Sequence, residues 1–433
     1  MSFPRYPTYK PSGVEWLGEV PEHWNRTALK FLADYQNGYP FKPEDRGTEG
    51  LPIIRISQLT GNDEPAYYSG DLDERVKVRD GDLLFTWSAT IDSFIWDKGE
   101  AWLNQHIFRV SPSAEADKRY LYYVIKHVAP KLADFDAHGS TMRHIKKESL
   151  GEKVYVPSVR DQALIATFLD HETAKIDALI AEQQRLIELL QEKRQAVISH
   201  AVTKGLNPHA PMKDSGVEWL GEVPEHWTLK RLKHLSPNLT VGIVVNPSEY
   251  VSDEGLPFVY GGDIREGVID WENSRRIAPA LSDKQPKTRL RSGDLLMVRV
   301  GAPGITAVVP AQCEGGNCAS VMLIRQGSFS SQWLSFTLNT RIVRFQVEVV
   351  QYGAAQEQFN ISHAVNFWLP VPPRQEQDRI AAFLDSEHDK AKGLINQAQS
   401  AVSLLQERRS ALISAAVTGQ IDVRGLVPEA VAA

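Results

Sequence analysis

The feature that most constrains the fold of this 433-residue chain is an internal repeat. The thirteen residues SGVEWLGEVPEHW at positions 12–24 recur unchanged at positions 215–227, an offset of 203. Near the middle of each copy, the run Gly-Asp-Leu-Leu at positions 81–84 recurs at positions 293–296. A duplication on this scale predicts two copies of one structural unit, each long enough to bury its own core.

The two copies agree at their ends and diverge between them. The offset is 203 at the first match and 212 at Gly-Asp-Leu-Leu, and it reaches 215 at Phe-Leu-Asp, which occupies positions 168–170 and 383–385. The second copy is therefore 12 residues longer, and its extra residues lie between well-matched ends. We infer a shared scaffold at the ends and interiors that perform different versions of one task.

Each copy begins with a part that is rich in short β-strand patterns bounded by turn residues. The clearest strand runs are at positions 51–56, 82–85 and 295–298. Helical patterns follow at positions 120–132 and 331–350. We predict a mixed α/β (α+β) fold class, with the strand-rich parts extending over residues 1–157 and 205–372.

Each copy ends in the pattern of one long helix, at about residues 161–202 and 376–417. A proline-containing segment precedes each helix and a glycine, Gly205 or Gly419, follows it, as is typical of helix termini. Apolar residues recur at spacings of three and four along both helices, which is the heptad pattern of a coiled coil. The residues that define the predicted seam are Leu169, Glu172, Ile176, Leu179, Leu186, Leu190 and Lys193 in the first helix and Leu384, Glu387, Leu394, Leu405 and Arg408 in the second.

Four charged residues interrupt this seam. If the helices run antiparallel, a single register places Glu172 opposite Arg408 and Lys193 opposite Glu387. The predicted architecture is therefore pseudo-twofold symmetric, with two tandem domains separated by an antiparallel coiled coil. The alternative is that all four charged side chains reach solvent from the edge of the seam.

Composition places the chain among ordinary folded proteins. Hydrophobic residues make up 42% and charged residues 24%, and the net charge is −6. The first ten residues lack the apolar core of a signal peptide, and no run approaches eighteen uncharged apolar residues. Two cysteines, Cys313 and Cys318, suit a reducing compartment. We expect a cytoplasmic protein without a membrane partner.

The repeated residues resemble a known family. The run at 12–24 and its copy at 215–227 look like the start of each recognition domain in the specificity subunits of type I restriction-modification systems, the HsdS family. The Gly-Asp-Leu-Leu pair and the Val-Pro segments at 156–157 and 371–372, each leading into its helix, fit the same family. The duplicated order covers essentially the whole chain and is more specific than any one motif.

This resemblance implies a domain organisation and a set of partners. Two target recognition domains would each read one half of a bipartite, asymmetric site in double-stranded DNA, and the helices would set their spacing. The helices would also dock two modification subunits that form an adenine-N6 methyltransferase, and restriction subunits would add ATP-dependent cleavage. The implied segments are recognition domain 1 at 1–157, the central helix at 158–204, recognition domain 2 at 205–372, the C-terminal helix at 373–418 and a tail at 419–433.

We expect the chain itself to be no enzyme and to bind no cofactor. It contains no P-loop signature, no Asn/Asp-Pro-Pro-Tyr/Phe methyltransferase motif and no His-Glu-x-x-His metal motif. Cys313 and Cys318 lack an evident second pair of ligands, so two ordinary thiols are favoured over a zinc site. The resemblance assigns S-adenosylmethionine, ATP and Mg²⁺ to the partner subunits.

Polar and basic side chains in loops are the groups that read base edges and phosphates. In the first copy the predicted DNA-contacting residues are Arg55, Ser57, Gln58, Thr86, Trp87, Ser88, Thr90, Asn104, Gln105, His106, Thr141, Arg143, His144 and Lys146. In the second copy they are Gly262, Asp263, Lys287, Arg289, Arg299, Gly301, Asn317, Gln356, Gln358 and Asn360. We expect the loops to face the same side. For each residue the alternative is a structural role, as a cap, a solvated side chain or part of the core.

Two other functional classes stay open at this point. The chain could be an enzyme with an unrecognised motif, which binding of S-adenosylmethionine by the isolated chain would indicate. It could instead be a coiled-coil scaffold that binds only proteins, which a DNA complex formed with the modification subunits would exclude. The negative net charge argues against tight DNA binding by the chain alone and favours phosphate contacts supplied by partners.

Overall fold

The structure is a computed structural model that describes residues 3–14, 16–61, 63–136, 144–352 and 359–426. The chain divides into two compact units. Unit 1 comprises Met1–Gln184 and Ser400–Ala433, and unit 2 comprises Arg185–Gln399. Each unit therefore contains the strand-rich part of one copy together with a portion of each long helix.

The first strand-rich part alternates short strands with short helices before it reaches the first long helix. Its elements are β1 (Tyr9–Pro11), β2 (Glu19–Pro21), β3 (Asn25–Ala28), α1 (Leu29–Leu32), β4 (Ala33–Asn37), β5 (Leu51–Ile54), α2 (Ile56–Thr60), β6 (Tyr67–Tyr68), β7 (Lys77–Val78), β8 (Leu83–Thr86), β9 (Asp92–Ile95), β10 (Ala101–Leu103), β11 (Ile107–Pro112), α3 (Lys118–Asp136) and β12 (Lys153–Val156). The first long helix, α4 (Val159–Lys204), follows directly.

Two four-stranded sheets form the centre of unit 1. One has the order β4-β11-β8-β9 with antiparallel pairs, and α3 lies against β8, β9 and β11. The other has the order β6-β5-β10-β7, and β5 and β10 are parallel. The last strand, β12, pairs with β3. The domain therefore closes on its own beginning at the point where α4 starts.

The second copy repeats this plan in unit 2. Its elements are β13 (Met212–Asp214), β14 (Glu222–Pro224), β15 (Thr228–Arg231), α5 (Leu232–Leu235), β16 (Leu239–Val241), β17 (Leu256–Val259), β18 (Ile264–Arg265), β19 (Val268–Ile269), β20 (Arg275–Ile277), α6 (Pro279–Asp283), β21 (Leu295–Met297), β22 (Thr306–Val308), β23 (Asn317–Cys318), β24 (Met322–Ile324), α7 (Ser331–Leu338), α8 (Arg341–Tyr352), α9 (Ile361–Ala364) and β25 (Trp368–Val371). The second long helix is α10 (Arg374–Val417).

The sheets of unit 2 correspond to those of unit 1. The order β16-β24-β21-β22 matches the antiparallel sheet, the order β20-β17-β23 keeps a parallel pair, and β15 pairs with β25 as β3 does with β12. The hairpin of β18 and β19 has no counterpart among the described elements of unit 1. It lies between the matched ends, where the sequence places the extra length of the second copy.

The repeated thirteen-residue run has a structural role in each unit. Its last tryptophan, Trp24 or Trp227, is fully buried. The glycine that ends each long helix lies against it with a left-handed φ, +73° at Gly419 and +76° at Gly205. A Cβ atom on Gly419 would lie 3.2 Å from Trp24, and one on Gly205 would lie 3.3 Å from Trp227. The run therefore packs the start of each domain against a helix end.

Each unit brings opposite halves of the two long helices together. In unit 1 the first half of α4 meets the second half of α10, where Arg409 Nε forms an ion pair with Asp177 Oδ1 at 2.8 Å. In unit 2 the second half of α4 meets the first half of α10, and Val197 and Leu384 line one groove. The contacts inside each unit are consistent with the antiparallel pairing that the sequence predicts.

The predicted charged neighbours lie around shared grooves. Glu172 and Arg408 line one pocket in unit 1, and Lys193 and Glu387 line one groove in unit 2. The ion pairs of the two glutamates nevertheless form within single helices: Lys175 lies 2.8 Å from Glu172, and Lys390 lies 2.8 Å from Glu387. The predicted neighbours are therefore close, while local i,i+3 pairing occupies the carboxylates.

Burial along the apolar stripe of the long helices is uneven. Leu169, Ile176 and Leu384 are buried, and Leu190 and Leu405 are half-buried. By contrast, the exposed fractions of Leu179, Leu186 and Leu394 are 44%, 42% and 50%. The stripe packs tightly close to each domain and leaves apolar surface elsewhere.

Two details of the sequence interpretation were wrong. The run at 51–56 is not one strand: β5 ends at Ile54 and α2 begins at Ile56, because Gln58 Oε1 accepts the backbone N–H of Arg55 at 2.9 Å and caps a helix. The pattern at 331–350 is two helices, α7 and α8. They separate because Asn339 Nδ2 donates to the Thr306 carbonyl at 2.7 Å.

Candidate nucleic-acid interface

The four loop segments singled out in the first copy meet at one end of the sheets of unit 1. The backbone N–H of Asn104 donates to the carbonyl of Ile54 at 3.1 Å, directly before the segment that begins at position 55. The N–H of Trp87 donates to the carbonyl of His106 at 3.3 Å, and the N–H of Ile145 donates to Trp87 at 2.8 Å. Segments that are distant in sequence thus form one ring of strand ends, which we call the unit 1 ring.

Four of the predicted contact residues in the unit 1 ring are buried, namely Gln58, Thr86, Ser88 and Asn104. Thr86 Oγ1 accepts the N–H of Asp92 at 3.0 Å, and Gln58 Nε2 donates to the carbonyl of Glu64 at 3.3 Å. Asn104 Oδ1 accepts a backbone N–H of its own turn. The side chains of Thr86, Gln58 and Asn104 therefore form hydrogen bonds inside the domain, and these bonds hold the loops in place.

Other side chains of the unit 1 ring reach solvent. Those that are exposed are Thr90, His106 and Lys146. The Trp87 ring packs beside the imidazole of His106, with ring centroids 5.3 Å apart, and Ser88 is paired by a β-bridge to His144. Arg55, Ser57 and Gln105 are half-buried. This arrangement offers cationic, hydroxyl and imidazole groups on one surface.

Several polar atoms of the unit 1 ring are enclosed without a hydrogen-bond partner among the described residues. They are Arg55 Nε, Trp87 Nε1 and Gln105 Oε1. Buried polar atoms in folded proteins are nearly always hydrogen-bonded, so these three atoms are able to accept partners from outside the domain. A ligand with many hydrogen-bond donors and acceptors, bound at this surface, would supply hydrogen-bond partners to these atoms.

Unit 2 forms an equivalent ring, which we call the unit 2 ring. The N–H of Ile243 donates to the carbonyl of Cys318 at 2.8 Å, and the N–H of Ser320 donates to Ile243 at 3.1 Å. The N–H of Ala319 donates to the carbonyl of Val259, where β17 ends, at 2.9 Å. The same strand ends therefore meet in both units.

Arg299 holds two segments of the unit 2 ring together. Its Nε donates to the carbonyl of Phe359 at 3.1 Å, and its Nη2 donates to Asn360 Oδ1 at 2.8 Å. In the repeat this contact takes the place of the one between Trp87 and Ile145 in unit 1. Arg299 and Asn360, both predicted from sequence, are thus neighbours.

Asn317 was predicted to contact DNA, which requires an exposed side chain, but its side chain lies inside the domain. It is fully buried, its Nδ2 donates to Ser282 Oγ at 2.8 Å, and its Oδ1 accepts the hydroxyl of Thr288 at 2.5 Å. The sheet register also pairs Ala319, and not Asn317, with the position that Asn104 occupies in unit 1. The structure gives Asn317 a role in the core of the domain.

The loop after β17 contributes backbone groups and one inward-facing carboxylate. Asp263 Oδ2 accepts the N–H of Tyr260 at 2.8 Å, and burial raises the pKa of this carboxyl. The carbonyl of Gly262 accepts Arg265 Nη1 at 2.7 Å, so an exposed guanidinium is held beside the loop. Gly301 is exposed with a φ of +86°, a backbone conformation that favours glycine.

The predicted basic stretch of unit 2 lies on the surface. Lys287 and Arg289 are exposed, and Arg289 Nη1 forms an ion pair with Asp283 Oδ1 at 2.8 Å. The guanidinium of Arg325 donates to the backbone carbonyls of both residues at 2.8 Å. The local surface is cationic, as phosphate binding requires.

Some predicted residues cannot be placed. Thr141, Arg143, Gln356 and Gln358 lie outside the described residues, so their DNA contacts stay predictions.

The sequence analysis did not predict several residues that the two rings expose, namely Tyr39, Val244, Val245, Val300 and Ser320. Gly38 and Gly242 were the available signal: a Cβ atom at either would collide with a backbone carbonyl across the ring, so each marks a close approach of two loops.

The cysteines carry no sign of chemistry. Burial raises the pKa of Cys313 to about 11 and that of Cys318 to about 12, so both are protonated thiols at neutral pH. In the part of the chain that the structure describes, no group of three His, Cys, Asp or Glu side chains is arranged to hold a metal ion. The described helices also include none with an apolar stretch long enough to cross a bilayer.

The chain is similar to known proteins in sequence and in fold. Residues 21–190 match the profile of the type I restriction modification DNA specificity domain. The chain is 24% identical over 428 residues to the type I restriction enzyme EcoBI specificity subunit of Escherichia coli, covering 94% of this chain and 88% of that one. It is 21% identical over 417 residues to the MjaVIII specificity subunit of Methanocaldococcus jannaschii, covering 94% and 95%.

A solved structure shares the fold. A chain from a structural study of complex assembly and conformational transition in the type I restriction-modification system superimposes with a TM-score of 0.69. It is 16% identical in sequence, and the match covers 92% of this chain and 98% of that one. With two repeated domains and two long helices, the chain is similar over nearly its whole length to specificity subunits of type I restriction-modification systems.

Proposed function

We propose that this specificity subunit reads a bipartite DNA site, one half with the ring of each unit. The observation that carries the proposal is that both units bring the same strand ends together while presenting different side chains there. Duplicated scaffolds with unlike rings suit a site whose two halves differ in sequence. The chain is a specificity subunit and not a catalyst, so the chemistry belongs to its partners.

The long helices have two roles in this proposal. A helix of 46 residues, such as α4, rises about 69 Å at ~1.5 Å per residue, more than one turn of B-DNA, and can act as a spacer between reading sites. The exposed leucines of both helices, among them Leu179, Leu186 and Leu394, support docking of two modification subunits. Apolar surface of this kind is typical of protein–protein contacts.

The cofactors and the remaining partners follow from the same proposal. S-adenosylmethionine would bind the modification subunits, which transfer its methyl group to adenine N6. ATP and Mg²⁺ would bind restriction subunits in the full complex, and the assembly would act in the cytoplasm. The net charge of −6 supports a division of labour in which partners supply many of the phosphate contacts.

The proposal is tested by mapping N6-methyladenine in DNA from cells that produce this chain with its modification subunits. We expect methylation at one bipartite motif with a fixed spacer, and none from the modification subunits alone. Replacing residues 228–367 by the corresponding interior of another family member should change one half-site and leave the other half-site and the spacer intact. The exchange keeps both long helices and both thirteen-residue runs.

The matched control is the exchange of residues 25–152 in the first copy. It should change the other half-site only. A motif that is continuous, or a single exchange that alters both half-sites, would contradict the assignment of one half-site to each unit.

A further inference from the structure

The two rings differ in chemistry at equivalent positions. The unit 2 ring exposes three valines: the exposed fractions of Val244, Val245 and Val300 are 55%, 73% and 63%. In the repeat, Val300 occupies the position of Ser88 in the unit 1 ring. Isolated apolar residues on a surface are common, but three that meet at one functional edge are not explained by chance exposure.

The backbone brings the three valines to the same edge. The N–H of Gly242, which precedes Val244 and Val245, donates to the carbonyl of Val321 at 2.9 Å. A Cβ atom on Gly261 would lie 3.7 Å from Val321 Cγ1 and 4.0 Å from the carbonyl oxygen of Val300. Both valine segments therefore flank the same residue, Val321, and open on the same end of the domain.

The segment that carries Val244 and Val245 ends in an ordered turn. Asn246 follows it in a left-handed conformation, with φ 43° and ψ 51°. Its side chain donates to Glu249 Oε1 at 2.9 Å. Asparagine adopts this backbone more readily than other non-glycine residues, and its bond to Glu249 fixes the turn that follows the two valines.

Two arginines are held at the loop after β17, whose Gly261 lies close to the backbone of Val300. Arg265 is held by the carbonyl of Gly262, and the guanidinium of Arg275 lies 4.2 Å from the centroid of the Tyr260 ring. The carboxylate of Asp263 accepts the N–H of Tyr260, so it is turned into the domain. Exposed valines with arginines on a neighbouring loop suit a surface that offers both apolar groups and phosphates.

The edge of a thymine in the major groove offers such a group. Its C5-methyl is the only apolar feature among the base edges there, and valine cannot exchange hydrogen bonds with the acceptors of guanine or the donor of cytosine. We propose that Val244, Val245 and Val300 read thymine through its 5-methyl group in the half-site of unit 2. This inference rests on the proposed function and adds the chemical class of base that this ring selects.

The test removes only the methyl group. Duplexes carrying the mapped motif are prepared with each thymine of one half-site replaced by deoxyuridine, and the initial rate of N6-methylation by the chain with its modification subunits is measured below saturation. Replacement in the unit 2 half-site should slow methylation about fourfold for each contacted methyl group, given the usual gain from burying one such group. Replacement in the other half-site should leave the rate unchanged.

Variants of the chain identify the residues responsible. Val300→Ser, which installs the residue that unit 1 carries at the equivalent position, should slow methylation of the thymine duplex and abolish its difference from the deoxyuridine duplex at one base pair. Val245→Ser should do the same at a neighbouring pair. Ile95→Ser is the matched control, because Ile95 is 40% exposed in unit 1 and pairs with Leu83, at the end of β8 opposite to the unit 1 ring.

The possible failures are distinguishable. Equal rates on thymine and deoxyuridine duplexes, or a difference that persists in the Val245→Ser, Val300→Ser double variant, would overturn the reading of thymine while the bipartite motif stands. Absence of any motif-directed methylation would instead overturn the proposed function itself. A unit 2 half-site without an A·T pair would also refute the inference.

Discussion

Burial decides what a polar residue can do in the recognition domains. Asn317 and Arg299 belong to the same unit and were both predicted to contact DNA. Asn317 is fully buried and bonded to Ser282 and Thr288, whereas Arg299 is half-buried and lies where two loops meet. The first residue therefore contributes to stability, and the second lies on the surface that we propose to contact DNA.

This contrast predicts opposite effects for two alanine variants. Asn317→Ala should lower the free energy of unfolding by about 1–3 kcal/mol, because it leaves buried hydroxyl groups without their partner, and the methylated motif should be unchanged. Arg299→Ala should weaken specific binding by more than about 1 kcal/mol. Denaturant unfolding and methylation rates on the motif duplex measure the two effects.

A second arginine variant serves as the control for Arg299→Ala and tests whether the effect depends on the position of the arginine. Arg231 stacks on Trp368, 4.9 Å from the centroid of the indole, where β15 pairs with β25, so Arg231→Ala should leave the methylation rate unchanged. If Asn317→Ala altered the motif, or Arg299→Ala behaved like Arg231→Ala, the assignment of roles by burial would be wrong.

Among the elements, the long helices were the most predictable. The predicted bounds of 161–202 and 376–417 lie within two residues of α4 and α10, because a periodic apolar stripe with a proline before it and a glycine after it leaves few alternatives. Short elements were less predictable. The end of β5 depends on one side-chain cap, Gln58 on Arg55, and the break between α7 and α8 depends on the tertiary contact of Asn339.

The hairpin of β18 and β19 joins elements that are distant in sequence. Glu266, in its turn, accepts a hydrogen bond from Arg344 of α8 and from Gln195 of α4 at 3.4 Å, and it lies 3.7 Å from Arg194 Nη2. One carboxylate therefore ties the recognition domain of unit 2 to its part of the long helix. A carboxylate with several partners in a partly enclosed place contributes more than an isolated surface pair.

We expect Glu266→Gln to lower the free energy of unfolding by about 1–2 kcal/mol, because the amide keeps the shape but loses the charge that two arginines face. Denaturant melts of the full chain measure it. Asp283→Asn is the control, since Asp283 forms one exposed pair with Arg289 and should change stability by less than about 0.5 kcal/mol. Equal effects of the two substitutions would show that the hairpin does not tie the domain to α4.

At the scale of the whole molecule, the duplication was predictable and the register inside it was not. The repeat predicted two equivalent domains and two long helices, and the structure has both. The equivalence of Asn104 with Ala319 was hidden, because the second copy gains residues before this point and the interiors have diverged. The exposed valines were missed because apolar residues in short runs predict strands and not binding surfaces.

The negative charge of the whole chain predicts cooperation in DNA binding. The isolated chain should shift a motif duplex weakly in a gel at physiological salt, and addition of the modification subunits should tighten binding by at least tenfold. Their presence should also steepen the dependence of binding on salt concentration. Tight, specific binding by the chain alone, with an unchanged salt slope on addition of partners, would contradict a division of phosphate contacts among subunits.

Both rings consist of residues that lie just beyond the hydrogen-bonded strands. Side chains such as Val300 and His106 can be exchanged there without opening a cavity or breaking a ladder, because both are exposed and the sheets behind them hold the loops. On the proposed function, a few substitutions in one ring are therefore enough to change the DNA motif that is methylated. The partner subunits need not change with them.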